Sequence, residues 1–162
     1  MSNLLNVTEV IEFAVYIEQN GYKFYSETKN KFNDKGLQEL FQFLGDEEVK
    51  HENTFKALIK DAGSFTPHES YAGEYSAYMR DFLKMHALGN DEALKKKIAG
   101  LKDVAGAVAM ALEFEKDSIV LFTMLKRYIS GSKGEKIVDK IIQEELTHIY
   151  KINSFYNQLQ DK

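Results

Sequence analysis

Six side chains have types and spacings suited to holding metal ions: Glu18, Glu48, His51, Glu115, Glu145 and His148. Four of them form two Glu-x-x-His pairs, 48–51 and 145–148, a spacing that sets carboxylate and imidazole on one face of a helix. Glu18 to Glu115, Glu48 to Glu145 and His51 to His148 are each separated by 97 positions, so the chain reads as two copies of one unit. Within each copy the glutamates lie 30 positions apart, with midpoints near 33 and 130.

The elements that must position them are helices. One proline and ten glycines, with few runs of alternating β-branched residues, argue against strands. Breakers group at Asn33-Asp34-Lys35-Gly36, at Gly63-Ser64 through Pro67, at Gly89-Asn90-Asp91 and at Ser130-Gly131-Ser132. They leave long segments at about 6–31, 34–62, 101–130 and 133–160, and Tyr71 to Leu88 reads as a further helix in the connection between the second and third. A bundle-type spacing of four and three residues marks one stripe per segment. The stripes run Val7, Ile11, Ala14, Glu18, Gly21, Tyr25, Thr28, Phe32, then Leu37, Phe41, Leu44, Glu48, His51, Phe55, Leu58, Ala62, then Val104, Val108, Ala111, Glu115, Ser118, Phe122, Leu125, Ile129, and finally Gly134, Val138, Ile141, Glu145, His148, Ile152, Phe155, Leu159. Each is mostly apolar and is interrupted near its middle by a glutamate.

Folding each copy at its midpoint puts both glutamates at the same height, roughly 22 Å from the turn at about 1.5 Å of rise per residue. The expected fold is therefore all-α, a four-helix bundle of two hairpins with a long, helix-containing crossover, in one domain spanning 1–162. Four carboxylates and two imidazoles would share one layer of its core. Burying even one unpaired charge costs several kcal/mol, and no lysine or arginine lies on any stripe. Protonation or metal remains, and the histidines favour metal, because two divalent ions bring four positive charges to four carboxylates. Mixed carboxylate and imidazole ligation suits iron or manganese, with zinc a substitute and calcium, which prefers oxygen, a poorer fit.

Several neighbours read more modestly. Glu47, Glu113 and Glu144 flank the stripes and read as rim residues or as outer partners of the ligands, and Glu113 loses to Glu115 because only Glu115 shares the common offset. Gly21 and Ser118 are small and face the layer, which reads either as close helix packing or as room for a small oxidant beside the metals. Tyr25 is placed to hydrogen-bond a ligand carboxylate, although core packing accounts for the ring as well. His68 and His86 have no repeat mates and read as surface residues. Tyr71, Tyr75, Tyr78, Phe82 and Met85 follow helical spacing and read as the packed side of the crossover, while Lys95-Lys96-Lys97 reads as a solvated face.

Composition closes other avenues. With no cysteine, disulfides, thiolate metal sites and cysteine nucleophiles are excluded. A formal charge of −4 argues against nucleic acid or an anionic membrane as partner. No segment has the ~20 apolar residues of a membrane span, and the amino terminus lacks a signal-peptide pattern, so a cytoplasmic location is expected.

The sequence resembles the rubrerythrin branch of the ferritin-like superfamily along nearly its whole length. The resemblance is carried by IEFAVYIEQNGYKFY around Glu18, LGDEEVKHE around Glu48 and His51, AMALEFEKDSIVLF around Glu115, and IIQEELTHIY around Glu145 and His148. It implies a four-helix bundle with a long crossover, a pair of irons, peroxide reduction or dioxygen handling, and dimers or larger homo-oligomers. Glu48 and Glu145 would bridge the irons, Glu18 and Glu115 would be terminal ligands, and His51 and His148 would hold one iron each. Two departures matter. Ser118 stands where peroxide-reducing rubrerythrins carry an additional glutamate, and the chain lacks the cysteines of a rubredoxin domain. Electrons would then come from a separate donor such as rubredoxin. The alternative expectation is an iron-binding ferroxidase for storage or detoxification, which needs a many-subunit shell, and the third is a structural bundle with adventitious metal.

Overall fold

A computed structural model describes residues 7–61, 77, 81–82, 84–86, 90–129 and 131–161. Its helices are α1 (Val7–Thr28), α2 (Lys35–Asp61), α3 (Asp91–Gly100), α4 (Val104–Leu125) and α5 (Ser132–Gln160), with a short 3₁₀ turn at Lys126–Tyr128 after α4. No strand occurs among the described residues. The four long helices match the expected segments to within a few residues at each end, or about a turn where the 3₁₀ segment closes α4.

Local chemistry explains the boundaries. The Asp34 carboxylate accepts from the Leu37 amide at 2.8 Å and so satisfies a donor that the first turn of α2 leaves unpaired. Asn90 and Asp103 do the same for α3 and α4, accepting from Ala93 and Gly106 at 2.7 Å. Before α5 the chain turns at Gly131 with φ +102°, a conformation that a residue without Cβ adopts at little cost. α3 is an element that the stripe spacing does not pick out. Leu94 and Ile98 are its buried residues, and it packs on α1, while Lys31 donates to the carbonyls of Ile98, which also accepts from the Leu101 amide, and of Ala99 in its last turn.

α1 pairs with α2, and α4 with α5. The hairpins point in opposite directions. Phe155, near the end of α5, lies against Gly36 beside the first turn, and Phe55 packs on Phe122 at 5.0 Å between ring centroids. The described stripe residues are buried except Phe32, Val104, Gly134, Phe155 and Leu159 near the helix ends, which are half-buried, and Ala62 lies outside the described residues, so the inward faces are those that the spacing selects. Lys95, Lys96 and Lys97 are exposed, as expected. No helix among the described residues is long and apolar enough to cross a membrane.

Two readings of the crossover need correction. His86 is buried, at 3 % exposure, because the rings of Phe82 and Phe114 enclose it at 5.9 and 5.8 Å. Burial, reinforced by the charge of Lys97, holds its imidazole down at about 4. Met85, expected to pack inward, is 84 % exposed, whereas Phe82 does pack against the core. His68, Tyr71, Tyr75 and Tyr78 lie outside the described residues, as does most of the helix expected over Tyr71 to Leu88.

Candidate metal centre

The opposed hairpins bring all six candidate side chains into one layer. Glu18, Glu48, Glu115 and Glu145 have no exposure, and His51 and His148 have 2 % and 1 %. Their ligand atoms form two sets, Glu18, Glu48, His51 and Glu145, and Glu48, Glu115, Glu145 and His148, with all atoms of a set within 4.8 Å of one another. Glu48 and Glu145 belong to both.

Around Glu145 the contacts are close. His148 Nδ1 lies 2.9 Å from Glu145 Oε2 and 3.5 Å from Glu115 Oε2, while His51 Nδ1 lies 3.1 Å from Glu145 Oε1 and 3.8 Å from Glu18 Oε1. The two imidazoles stack at 5.6 Å and 21°. Tyr25, fully buried on α1, donates from its hydroxyl to Glu115 Oε1 at 2.5 Å, so the phenol does meet a carboxylate of the layer. The Tyr25 ring is edge-on to Phe41 and Phe114. Glu113 is exposed and Glu115 buried, so Glu115 is the one of the two that faces the layer.

The electrostatics are those of a protein surrounding too much negative charge. Burial pushes Glu18 up to about 7, and the charge of Glu145 adds to it. Burial and then the neighbouring carboxylates, Glu18 for one and Glu145 for the other, drive Glu48 and Glu115 well above the usual range. Burial opposes charge on Glu145 too, yet bonds from Glu115, His148 and His51 hold it below the ordinary carboxylate value. Burial likewise works against charged imidazoles, but the carboxylates carry His51 up to about 9 and His148 up to about 10. The layer without metal is thus protonated to an unusual degree.

Donor chemistry tests whether metal fits. Among the described residues, both oxygens of Glu18, both of Glu48, Glu115 Oε2, Glu145 Oε1 and His51 Nδ1 are buried without a well-formed hydrogen bond, the last two facing one another at 3.1 Å. A buried polar atom left unpaired costs about 1–3 kcal/mol, so seven converging in one layer indicate a missing positive partner. Two divalent ions would satisfy these atoms, and the oxygen and imidazole donors suit iron or manganese. The residues fit the group.

The room that Gly21 leaves is not open. A Cβ there would lie 2.5 Å from Phe114 Cζ and 2.8 Å from Glu48 Oε2, so Gly21 marks close packing of α4 on α1. Phe114 lies adjacent to the stripe rather than on it, so the spacing does not select it. Gly21→Ala is expected to lower unfolding free energy by about 1 kcal/mol, the centre of the difference between overpacking of about 1–3 kcal/mol and the roughly 1 kcal/mol of helix propensity gained. Urea denaturation of the metal-free proteins measures it, and an unchanged or raised midpoint would refute the close packing.

Comparisons with known proteins agree with this geometry. Residues 2–59 match the family model described as Rubrerythrin. No curated protein matches the chain. Among solved structures, it is similar to a Thermotoga maritima protein described as a ferritin-like diiron-carboxylate protein, at 24 % identity and TM-score 0.70, covering 94 % of this chain and 95 % of that one. It is also similar to a hypothetical protein from Pyrococcus furiosus, at 16 % identity and TM-score 0.64, covering 97 % and 92 %. At these identities both likenesses are of fold. The chain thus has the fold of a ferritin-like helical bundle, and its residues 2–59 are similar to the Rubrerythrin family.

Proposed function

We propose that this protein is a di-iron oxidoreductase that reduces hydrogen peroxide, or dioxygen, with electrons from a separate donor protein such as rubredoxin. The observation that carries the reading is the pair of four-residue donor sets sharing Glu48 and Glu145, sealed in the core with unpartnered ligand atoms. Glu18, Glu48, His51 and Glu145 would hold one iron, and Glu48, Glu115, Glu145 and His148 the other. Iron supplies the one-electron reducing equivalents that no side chain of this protein can provide.

The chain's own residues prepare the site. Tyr25 donates to Glu115 and fixes that carboxylate's orientation. Phe41, Phe55, Phe114 and Phe122, all fully buried, keep bulk water from the layer. Ser118 lies one turn beyond Glu115 with a buried hydroxyl that bonds nothing among the described residues. Thr54, Thr123 and Thr147 instead spend theirs on the carbonyl four residues back, so the Ser118 hydroxyl stays available to a small polar oxidant.

Anaerobic loading with ferrous iron, followed by mixing with peroxide or dioxygen, tests the reading. Oxidation is expected to be at least about tenfold faster with peroxide, as a stopped-flow absorbance trace would record. Faster reaction with dioxygen would favour ferroxidase chemistry, and gel filtration then separates a small homo-oligomer from a storage shell.

A further inference from the structure

The sequence repeat makes the two donor sets equivalent, but their surroundings are not. On the His51 side, the Glu144 carboxylate reaches across from α5 and takes His51 Nε2 at 3.1 Å, while its other oxygen lies 3.7 Å from Lys140 on the surface. With Nδ1 turned to the layer, Nε2 carries the proton and donates it to Glu144. The repeat mate of Glu144 is Glu47, 97 positions earlier. Glu47 pairs with Lys50 on its own helix, and the ring of His148, apart from its contacts within the layer, meets the edge of Phe43, at 6.0 Å and 88°, where His51 meets a carboxylate. The cause is readable in the two copies. Three residues after Glu47 stands Lys50, which captures it, and three residues after Glu144 stands Thr147, which bonds the Gln143 carbonyl and leaves Glu144 for His51.

A second difference acts in the same direction. Tyr25 takes one oxygen of Glu115, in the His148 set, whereas the repeat mate of Tyr25 is Phe122, so Glu18 in the His51 set gives nothing to a phenol. One set has an imidazole made more basic by a carboxylate behind it. The other has a carboxylate weakened by a donated hydrogen bond.

We infer that the two metal positions are unequal, that the position at His51 is the tighter, and that Glu144 is the positioning residue that makes it so. This rests on the two-metal reading above. Glu144 acts through His51, fixing its tautomer and ring orientation and strengthening it as a donor, and Glu47 has no such role for His148.

Titration of the metal-free, full-length protein with cobalt(II), followed by its visible ligand-field bands, tests the inference. The wild-type chain is expected to take up two ions in two steps whose dissociation constants differ by about tenfold or more. Glu144→Ala is expected to weaken the first step by about 10–100-fold and leave the second unchanged, the range usual for loss of such a partner. Glu144→Gln, which keeps an acceptor oxygen, should recover much of the loss, and Glu47→Ala should alter neither step. Glu144 is 36 % exposed, so these variants are expected to melt like wild type without metal. Equal weakening of both steps, no weakening, or wild-type uptake of two ions in one step would overturn the inference while leaving the two-metal reading intact. Uptake of fewer than two ions by the wild-type chain would overturn both.

Discussion

Replacing Glu48 and Glu145 together with glutamine is expected to abolish metal binding at both positions and leave the bundle folded. These two carboxylates belong to both donor sets, so the double substitution leaves each position with one carboxylate and one imidazole. Loss of an outer partner alone costs about 10–100-fold in metal affinity, so losing two ligands should cost at least about a hundredfold at each position. Folding should survive for reasons specific to each residue. Glu48 is driven to its neutral form by burial and by Glu18, and glutamine resembles a protonated glutamate in shape. Glu145 is the anion that His51 and His148 face, but both imidazoles can shed a proton when it is gone, which limits the penalty of stranding a buried charge. Metal content after ferrous or manganous loading and desalting, read by elemental analysis, should fall from two ions per chain to a small residue. Glu47→Gln with Glu113→Gln, at half-buried and exposed positions beside the same helices, should retain two. Unchanged metal in the Glu48/Glu145 variant would mean that metal binds elsewhere, and the proposed function would fall with the site.

Much of this layer is legible in the sequence because a glutamate on an apolar stripe is costly. One could be an accident, but four at two equal spacings cannot be absorbed by solvation, and the turns at 33 and 130 follow from the same spacing. The zero exposure of Glu18, Glu48, Glu115 and Glu145 also locates the net charge of −4. The other acidic residues, 21 of 25, equal the 21 lysines and arginines, so the formal imbalance is that of one interior layer. What periodicity hides depends on side chains that it does not rank. His86 has no repeat mate, and its burial comes from two rings, Phe82 and Phe114, that close on it. Phe114 sits beside the stripe, and only the close approach of α4 to Gly21 turns it inward. α3 has its signals, an Asn90 cap, acidic residues in the first turn and Leu94 with Ile98, but the lysine run between them reads as charge rather than as a helix face. The Glu144 contact depends on a competition that Lys50 decides for Glu47 and that no residue decides against Glu144.

The metal-free protein is expected to lose stability as pH rises from 6.5 to 8.5, and the metal-loaded protein is not. His51 and His148 hold protons up to about 9 and about 10, above the ordinary 6.5 of the unfolded chain. A group with a raised folded value contributes stability that is complete below its unfolded value and lost as pH climbs through the folded one. Glu18, Glu48 and Glu115 have the same sign, with Glu18 losing its share between the ordinary 4.5 and about 7. The opposing groups act lower. Glu145, held below the ordinary carboxylate range, contributes above that range and is lost only on acidification, and neutral His86 contributes above 6.5 and is lost as pH falls toward 4. Between 6.5 and 8.5 the perturbed groups of the layer therefore all pull one way. Each proton that the folded chain keeps and the unfolded chain releases costs about 1.4 kcal/mol for every pH unit climbed. The two imidazoles alone thus lose roughly 4–5 kcal/mol across this window, and at roughly 2–4 °C per kcal/mol for a chain of this size a fall of about 8–20 °C in Tm is expected. Metal reverses the balance, because binding expels the protons that the empty layer must hold, and affinity rises with pH in that window. Calorimetry of metal-free and manganese(II)-loaded protein under argon should therefore show two curves that diverge as pH rises. A metal-free Tm that stays flat or climbs would mean that the four glutamates are ionised and hydrated when metal is absent, and the layer would then be an open, wet cleft rather than a sealed one.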